Sequence, residues 1–147
     1  MQTVDLYVET DSKAPKSNKR MTGYLLDCPE HPKNDPKHRF YSFVGTYNQA
    51  ILDSLTEAMG RLNQSCEVHI HTQDIYVMNM IERNLPLWAG NKFRNAKGEL
   101  IKNHSQWSEL WSCAQKHLLV MEPGTHSFYQ WMQEEMKKEK PAASSIS

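Results

Sequence analysis

The 147-residue chain has few cysteines, no long apolar run and no excess of either charge. Its three cysteines, Cys28, Cys66 and Cys113, are widely spaced and form no C-x-x-C pair, so the sequence predicts reduced thiols and a cytoplasmic protein. No apolar run approaches the roughly 20 residues that span a bilayer, and the N-terminus has no signal-peptide shape, so we expect no membrane partner. Lys plus Arg and Asp plus Glu both total 17, so attraction to an anionic partner must come from local patches.

The length fits one domain with a real core. We expect this domain to cover residues 1–138. The small polar residues of 139–147 predict a disordered tail. Nothing in the sequence fixes the oligomeric state.

The stretch from Cys66 to Val77 gives the clearest structural signal. Apolar and polar residues alternate up to Thr72, which predicts a strand with two different faces, and from Ile75 the apolar residues take helical spacing. Gln73 and Asp74 therefore lie where a strand passes into a helix. In α/β proteins with parallel strands, this is where ligands and catalytic groups tend to lie.

The same periodicities predict the other elements. Strands are predicted at Val4 to Glu9, Tyr24 to Leu26, Phe40 to Val44 and Leu118 to Met121, and helices after Thr46, after Asn103 and from Ser127 to Lys138. The order is three strands, helix, strand, helix, helix, strand, helix. It predicts an α/β fold whose mixed five-stranded sheet has three antiparallel strands and then parallel additions, covered by helices.

Two segments carry clustered positive charge. From Lys92 to Lys102 the chain reads K-F-R-N-A-K-G-E-L-I-K, a locally basic segment that suits the phosphates of a duplex, or a solvated handle with ordinary surface lysines. The polar stretch from Thr10 to Arg20 also holds three lysines. It is predicted to be a solvated loop or, alternatively, a loop that contacts phosphates.

These patterns resemble type 1 ribonuclease H, which cuts the RNA strand of RNA/DNA hybrids, over residues 4–136. The resemblance rests on the turn from Thr72 to Val77, where the family's T-D-S-x-Y-V appears as T-Q-D-I-Y-V, and on a basic segment with its following helix. That second match comprises Phe93, Ala96, Ile101, Lys102, Asn103 and Trp107. It implies a ribonuclease H-like fold, with Thr46 and Asn48 at positions that contact the nucleic acid and with Lys92, Arg94, Lys97 and Lys102 as phosphate contacts.

The resemblance also implies a site in which four carboxylates hold two magnesium ions. Here the first position matches Glu9, the second falls on Ile51 and the third on Gln73, whereas the fourth has no clear match on the last helix. Asp11 and Asp74 are the neighbouring carboxylates that could substitute. An active enzyme would need Mg²⁺ or Mn²⁺, and an inactive protein would need neither.

The histidines supply a further hypothesis. His71 follows His69 on one strand face and could bind a transition metal with Glu9 or His126, or could pack as an ordinary histidine. His126 resembles the mobile histidine of the family. The candidate metal ligands are Glu9, Asp11 and His71, and the candidate catalytic residues are Glu9, Asp11, Gln73, Asp74 and His126.

The leading functional prediction is a catalytically degenerate ribonuclease H-like protein that binds nucleic acid, as an RNA/DNA hybrid or duplex, through the basic segment. The first alternative is an active metal-dependent endoribonuclease of the ribonuclease H type. The second is a protein-interaction module that binds no nucleic acid, with its former active-site cleft closed by Ile51 and Trp131.

Overall fold

The computed structural model describes residues 1–31 and 35–139. Five strands and five helices are described in this part of the chain. The strands are β1 (Gln2–Thr10), β2 (Asn18–Asp27), β3 (Lys37–Gly45), β4 (Cys66–Thr72) and β5 (Leu118–Pro123). The helices are α1 (Tyr47–Gly60), α2 (Ile75–Arg83), α3 (Leu85–Gly90), α4 (His104–Ala114) and α5 (Tyr129–Glu139).

The strands form one mixed sheet in the order β3-β2-β1-β4-β5. The first three strands are antiparallel neighbours, and β4 and β5 are added in parallel to β1. Tyr7 of β1 pairs with His71 of β4, which brings the carboxyl ends of these two strands side by side. This edge is where ligands bind in open α/β sheets.

Helices cover the sheet on both faces. On one face, side chains of β1 and β4 such as Leu6 and Ile70 pack against α1, α2 and α4 in the main core. On the other face, α5 contributes Met132 and Met136, which are fully buried against residues of β1, β2 and β3. The site at the carboxyl end of β1 therefore lies between α1 on one side and α5 on the other.

The start of α1 follows directly from its sequence. Thr46 is the N-cap, and its hydroxyl accepts from the Gln49 N–H while the Gln49 side chain accepts from the Thr46 N–H. This reciprocal capping box satisfies two backbone donors that a helix start leaves without partners. It fixes the backbone at the first turn, where Asn48 lies.

The predicted α/β fold is confirmed, with its three antiparallel strands and two parallel additions. The differences are local. The helix that begins at Ile75 ends at Arg83, and a short helix that was not predicted, α3, follows because a proline is compatible with the first turn of a helix. Ile75, where the predicted helical spacing begins, and Trp131, named as closing the former cleft, are 47% and 38% exposed.

Three remaining expectations concern the ends and the bulk of the chain. Residues 140–147 of the predicted tail lie outside the described residues, and Glu139 is the last residue of α5. Cys28, Cys66 and Cys113 are free thiols, as predicted. Among the described helices, we find none with the length and apolar character that a membrane crossing requires.

Candidate functional site

Polar groups converge where β1 and β4 end and α1 and α2 begin. Glu9 comes from the end of β1, Asp74 from the turn after β4, and Asn48 from the first turn of α1. Glu9 is completely buried and Asp74 is 2% exposed. Buried carboxylates are costly unless other groups compensate them, so their partners decide what this edge can do.

Glu9 is held by a histidine from the far end of the chain. The Oε2 atom of Glu9 lies 2.8 Å from Nε2 of His126, and the His126 side chain is only 4% exposed. The other ring nitrogen, Nδ1, accepts a hydrogen bond from the Phe128 N–H at 3.2 Å. The proton of the ring is therefore on Nε2, which donates a hydrogen bond to Glu9. The pair connects the turn between β5 and α5 to the end of β1, so the histidine that resembles the family's mobile one bonds here to Glu9.

Aromatic rings pack around this pair. The Tyr7 ring stacks on His71 with a centroid distance of 4.4 Å and contacts the rings of His126 and Phe128 at 4.8 and 4.9 Å. Such contacts exclude water from the Glu9 carboxylate and lower the local dielectric.

Two buried oxygen atoms at this edge have no hydrogen-bond partner among the described residues. They are Oε1 of Glu9 and the hydroxyl of Tyr47. Burial raises the pKa of Tyr47 well above its ordinary value, and the nearby carboxylates of Asp74 and Glu9 raise it further. Tyr47 is therefore a neutral hydroxyl beside two acidic groups.

Asp74 has a structural task of its own. It is the N-cap of α2, and its Oδ1 accepts from the Val77 N–H at 3.0 Å. With the Asn48 amide oriented to donate, its nitrogen lies 2.7 Å from Oδ2 of the same carboxylate. Burial raises the pKa of Asp74 to about 6, the cap hydrogen bonds oppose this, and Glu9 adds to it.

Gln73 and Asp11 lie at the surface of this edge and not inside it. The Gln73 side-chain oxygen accepts from the Lys13 ammonium, which also lies 5.3 Å from the centroid of the Tyr129 ring. Asp11 is exposed, and its Oδ1 accepts from the Met21 N–H at 3.0 Å. Ile51, at the position of the second carboxylate in the resemblance, is completely buried in the core.

The strand histidines are paired with carboxylates of the sheet strands. His71 Nε2 lies 2.8 Å from Asp5 Oδ1. His69 lies between Glu67 at 2.8 Å and Glu122 at 3.0 Å, and its hydrogen bonds to these carboxylates raise its pKa. Both histidines thus have carboxylate partners outside the candidate site.

The structure does not assemble the predicted metal ligands. Glu9 bonds to His126, Asp11 to a backbone N–H, and His71 to Asp5. Across residues 1–31 and 35–139, no three side chains of His, Cys, Asp or Glu cluster closely enough to hold a metal ion. The donors at this edge do not fit two magnesium ions, which require several hard oxygen ligands around each ion.

The basic segment, residues 92–102, is a compact hairpin. Its two arms meet at a single isolated bridge between Arg94 and Leu100, and the Asn95 side chain accepts from the N–H groups of Lys97 and Glu99. The turn needs Gly98, whose φ is +79°. Phe93 and Ile101 anchor the hairpin on the main core, whereas Lys92, Arg94, Lys97 and Lys102 are exposed.

A small cavity of about 220 Å³ connects this hairpin to the edge of the sheet. Thr46 and Asn48 line it, together with Lys102, Asn103 and Pro15. The Asn103 side chain also accepts from the Gln49 amide at 2.9 Å, which ties the start of α4 to the start of α1. The predicted nucleic-acid contacts at Thr46, Asn48 and Lys102 therefore lie together.

Sequence reasoning missed two residues of this region. Tyr47 has no motif of its own, and its only signal was its place between Thr46 and Asn48. Arg20 was treated as part of a polar loop, but it lies in β2 and is buried. A lone arginine within a strand pattern, next to an apolar run, was the signal available.

The chain is similar to curated ribonucleases H, and no family model matches it. It is 30% identical to Ribonuclease H of Actinobacillus succinogenes over 97 residues, 66% of this chain and 61% of that protein. It is 27% identical to Ribonuclease HI of Pasteurella multocida over 110 residues, 75% of this chain and 64% of that protein. The chain thus spans less than two thirds of the length of these relatives.

Solved structures show the same arrangement. LC9-RNase H1, described as a type 1 RNase H with the type 2 active-site motif, gives a TM-score of 0.69 at 19% identity, covering 94% of this chain and 70% of that one. LC11-RNase H1 in complex with an RNA/DNA hybrid gives a TM-score of 0.59 at 9% identity, covering 98% and 99%. The sheet order and these similarities together show that the chain has a type 1 ribonuclease H-like fold.

Proposed function

We propose that this protein binds an RNA/DNA hybrid or a related duplex through the basic segment and does not cleave it by a two-metal mechanism. One observation carries the proposal: the cations of the basic segment are exposed on an ordered hairpin, whereas the carboxylates at the sheet edge bond to groups of the protein itself. The first region is available to a ligand, and the second is used to hold the fold.

An ordered hairpin is a favourable carrier for phosphate contacts. The Arg94 guanidinium donates to the Gly98 carbonyl at 2.8 Å, and the Ile101 N–H donates to the Phe93 carbonyl at 3.0 Å. These bonds fix the backbone before any ligand arrives, so less conformational entropy is lost on binding. Lysine and arginine side chains on such a frame neutralise phosphates and release counterions.

The adjoining cavity supplies polar groups that suit a sugar-phosphate backbone. Thr46, Asn48 and Asn103 line it beside the ammonium-bearing Lys102. Hydroxyl and amide side chains contact phosphates and the 2′-hydroxyl of RNA, which distinguishes RNA from DNA. Two similar structures, LC11-RNase H1 and a foamy viral protease-reverse transcriptase, are complexes with RNA/DNA hybrid, which supports a hybrid as the first ligand to test.

The absence of two-metal cleavage is inferred from the ligands that the chain offers. Gln73 is neutral and bonds to Lys13, and Ile51 is a core residue. Asp74 caps α2, and one oxygen of Glu9 is taken by His126. Magnesium selects hard oxygen ligands in near-octahedral geometry, and this set supplies too few of them.

A second candidate function is metal-dependent cleavage of RNA/DNA hybrids. It is favoured by the buried Oε1 of Glu9, which has no hydrogen-bond partner among the described residues, and by the nearby carboxylate of Asp74. The description of LC9-RNase H1 as a type 1 enzyme with the type 2 motif also indicates that type 1 folds carry more than one active-site motif.

Binding is tested by fluorescence anisotropy with a labelled RNA/DNA hybrid over roughly 50 to 300 mM salt. Replacing Lys92, Arg94 and Lys97 by alanine should lower affinity at least about tenfold and reduce the salt slope by about 2 to 3, since each phosphate contact contributes about 0.9 to that slope. The matched control replaces three exposed lysines elsewhere, Lys116, Lys137 and Lys138. Equal losses in the two triple variants, or a flat salt dependence of the unaltered protein, would contradict the proposal.

Cleavage is tested with the same hybrid in magnesium and then in manganese. We expect no product beyond that of Asp74→Asn and Glu9→Gln variants whose folding is verified by circular dichroism. Product formed by the unaltered protein and lost in both variants would establish the second candidate, with Glu9 and Asp74 as its ligands.

A further inference from the structure

We propose that the loop between β1 and β2, residues 11–17, is a second cationic contact for the phosphate backbone and that Arg20 is the residue that positions it. The inference rests on the proposed function, because it names where the same duplex is held on its other side. It concerns residues that neither the resemblance nor the basic segment accounts for.

The loop presents cations to solvent. Lys13 and Lys16 are both exposed, and Asp11 is the only acidic residue in the loop. The Asp11 carboxylate accepts from the Met21 N–H at the base of β2, so it bonds at the foot of the loop, away from its tip. The tip therefore carries net positive charge.

Arg20 holds the loop from beneath. It is 3% exposed, and its Nε donates to the Gly45 carbonyl at 3.2 Å. Its terminal nitrogens donate to the carbonyls of Ser12 at 2.8 Å, Ala14 at 2.9 Å and Lys16 at 2.6 Å. A planar guanidinium offers donors in a fixed fork, so bonds to three alternate loop carbonyls set the path of the backbone.

Because Arg20 binds alternate carbonyls of the loop, the lysine side chains of the loop are left pointing to solvent. The carbonyls of Lys16 and its alternate neighbours are turned towards Arg20, while the Lys16 side chain remains exposed. The start of the loop is fixed as well, because the Thr10 hydroxyl donates to the Ser12 carbonyl at 2.7 Å and Gln133 of α5 donates to the Thr10 carbonyl at 3.0 Å. The loop thus has a defined shape without a ligand.

The loop and the basic segment flank one groove. Pro15 lines the same small cavity as Lys102 and Asn103, and Lys13 reaches Gln73 and the Tyr129 ring at the carboxyl edge of the sheet. Cationic side chains of the loop and of the basic segment therefore lie on opposite sides of Thr46 and Asn48, which form the base of the groove. A ligand with two phosphate backbones, a nucleic acid duplex, complements this arrangement, whereas a single strand contacts one side only.

The test compares Lys13→Ala/Lys16→Ala with Lys137→Ala/Lys138→Ala, which removes two exposed lysines at the end of α5. Both variants of the full chain are titrated with the labelled hybrid at several salt concentrations. We expect the loop variant to reduce the salt slope by about 1 to 2 and the affinity about tenfold, and the control to change affinity less than twofold. Indistinguishable variants would overturn the inference.

The positioning role of Arg20 is tested by Arg20→Lys, which keeps the charge and removes the fork. We expect faster amide hydrogen exchange in residues 12–16. We also expect the salt slope of hybrid binding to fall as far as in the Lys13→Ala/Lys16→Ala variant, although both loop lysines remain in Arg20→Lys. Adding Arg20→Lys to that double variant should lower the slope no further. An unchanged slope in a folded Arg20→Lys variant would overturn this role.

A single-stranded RNA of equal length separates the two sides. The basic-segment triple variant should bind this single strand more weakly than the unaltered protein does. The loop variant should bind it with unchanged affinity. If the basic segment matters for the hybrid and the loop does not, the inference fails and the proposed function stands. If the unaltered protein binds neither nucleic acid, both fail.

Discussion

The sheet edge around Glu9 and the basic segment at residues 92–102 use charge in opposite ways. At the edge, Glu9 and Asp74 are buried and bond to His126, Val77 and Asn48 within the protein. In the basic segment, the Asn95 side chain accepts from two backbone N–H groups of the turn, and the cations are exposed. Buried polar pairs stabilise a fold only while both partners remain, whereas exposed charges contribute little to stability and remain available for a ligand.

The largest expected effect comes from breaking the buried pair. His126→Ala leaves the Glu9 carboxylate buried without its donor, so the free energy of unfolding should fall by about 2–5 kcal/mol. Urea denaturation measures it. His31→Ala, which removes an exposed histidine, is the control and should change stability by less than about 0.5 kcal/mol. A loss in His126→Ala no larger than in this control would show that the pair does not hold the edge.

The second effect is a dependence of stability on pH. Burial raises the pKa of Asp74 from 3.8 to about 6, so the folded state binds this proton more tightly than the unfolded state. The stability contributed by the protonated form is present below about pH 4 and is lost as the pH rises to about 6.

Asp74→Asn should remove this dependence while keeping a good N-cap residue. The stability of the variant relative to the unaltered protein should therefore rise by about 2–3 kcal/mol between pH 4 and pH 7, at about 1.4 kcal/mol for each pKa unit. Denaturation series at the two pH values measure it. A difference that stays constant with pH would contradict the raised pKa.

The third effect concerns the start of α1, which lies between the two regions. Thr46→Ala removes one half of the capping box at the start of α1, which should cost about 1 kcal/mol of stability. Thr46→Ser keeps a hydroxyl that can accept from Gln49 and should recover most of it. If Thr46→Ser were as destabilising as Thr46→Ala, the methyl group and not the cap would be responsible.

The smallest effect on stability belongs to the basic segment. Lys97→Ala removes an exposed charge while the Asn95 side chain still accepts from the backbone N–H at position 97. We expect the free energy of unfolding to change by less than about 0.5 kcal/mol. A thermal melt beside the hybrid titration measures both properties, and a large loss of stability here would erase the contrast between the two regions.

The order of the elements was predictable because it depends on local patterns. The alternation before Thr72 and the helical spacing after Ile75 predicted β4 and α2, and the hydroxyl at Thr46 predicted the start of α1. The short helix α3 was not predicted, although Pro86 at its first turn is compatible with a new helix.

The candidate site was predictable in part. Asp74 was named from its position where a strand passes into a helix, and Glu9 and Asn48 were named from the resemblance; the structure brings them to one edge. The sequence did not predict that His126 would bond to Glu9, since 117 residues separate them. It also did not predict that Arg20 would be buried beneath a loop whose carbonyls it binds.

The sequence by itself determined the mixed α/β sheet, the cap of α1 and the basic segment, because periodicity, capping and charge are properties of neighbouring residues. Only the tertiary structure decided which charged side chains are buried and which are exposed. Burial raises the pKa of Asp74, His126 takes one oxygen of Glu9, and the fork of Arg20 shapes residues 11–17. Desolvation and contacts between distant segments create these properties, and they exist only once the chain has folded.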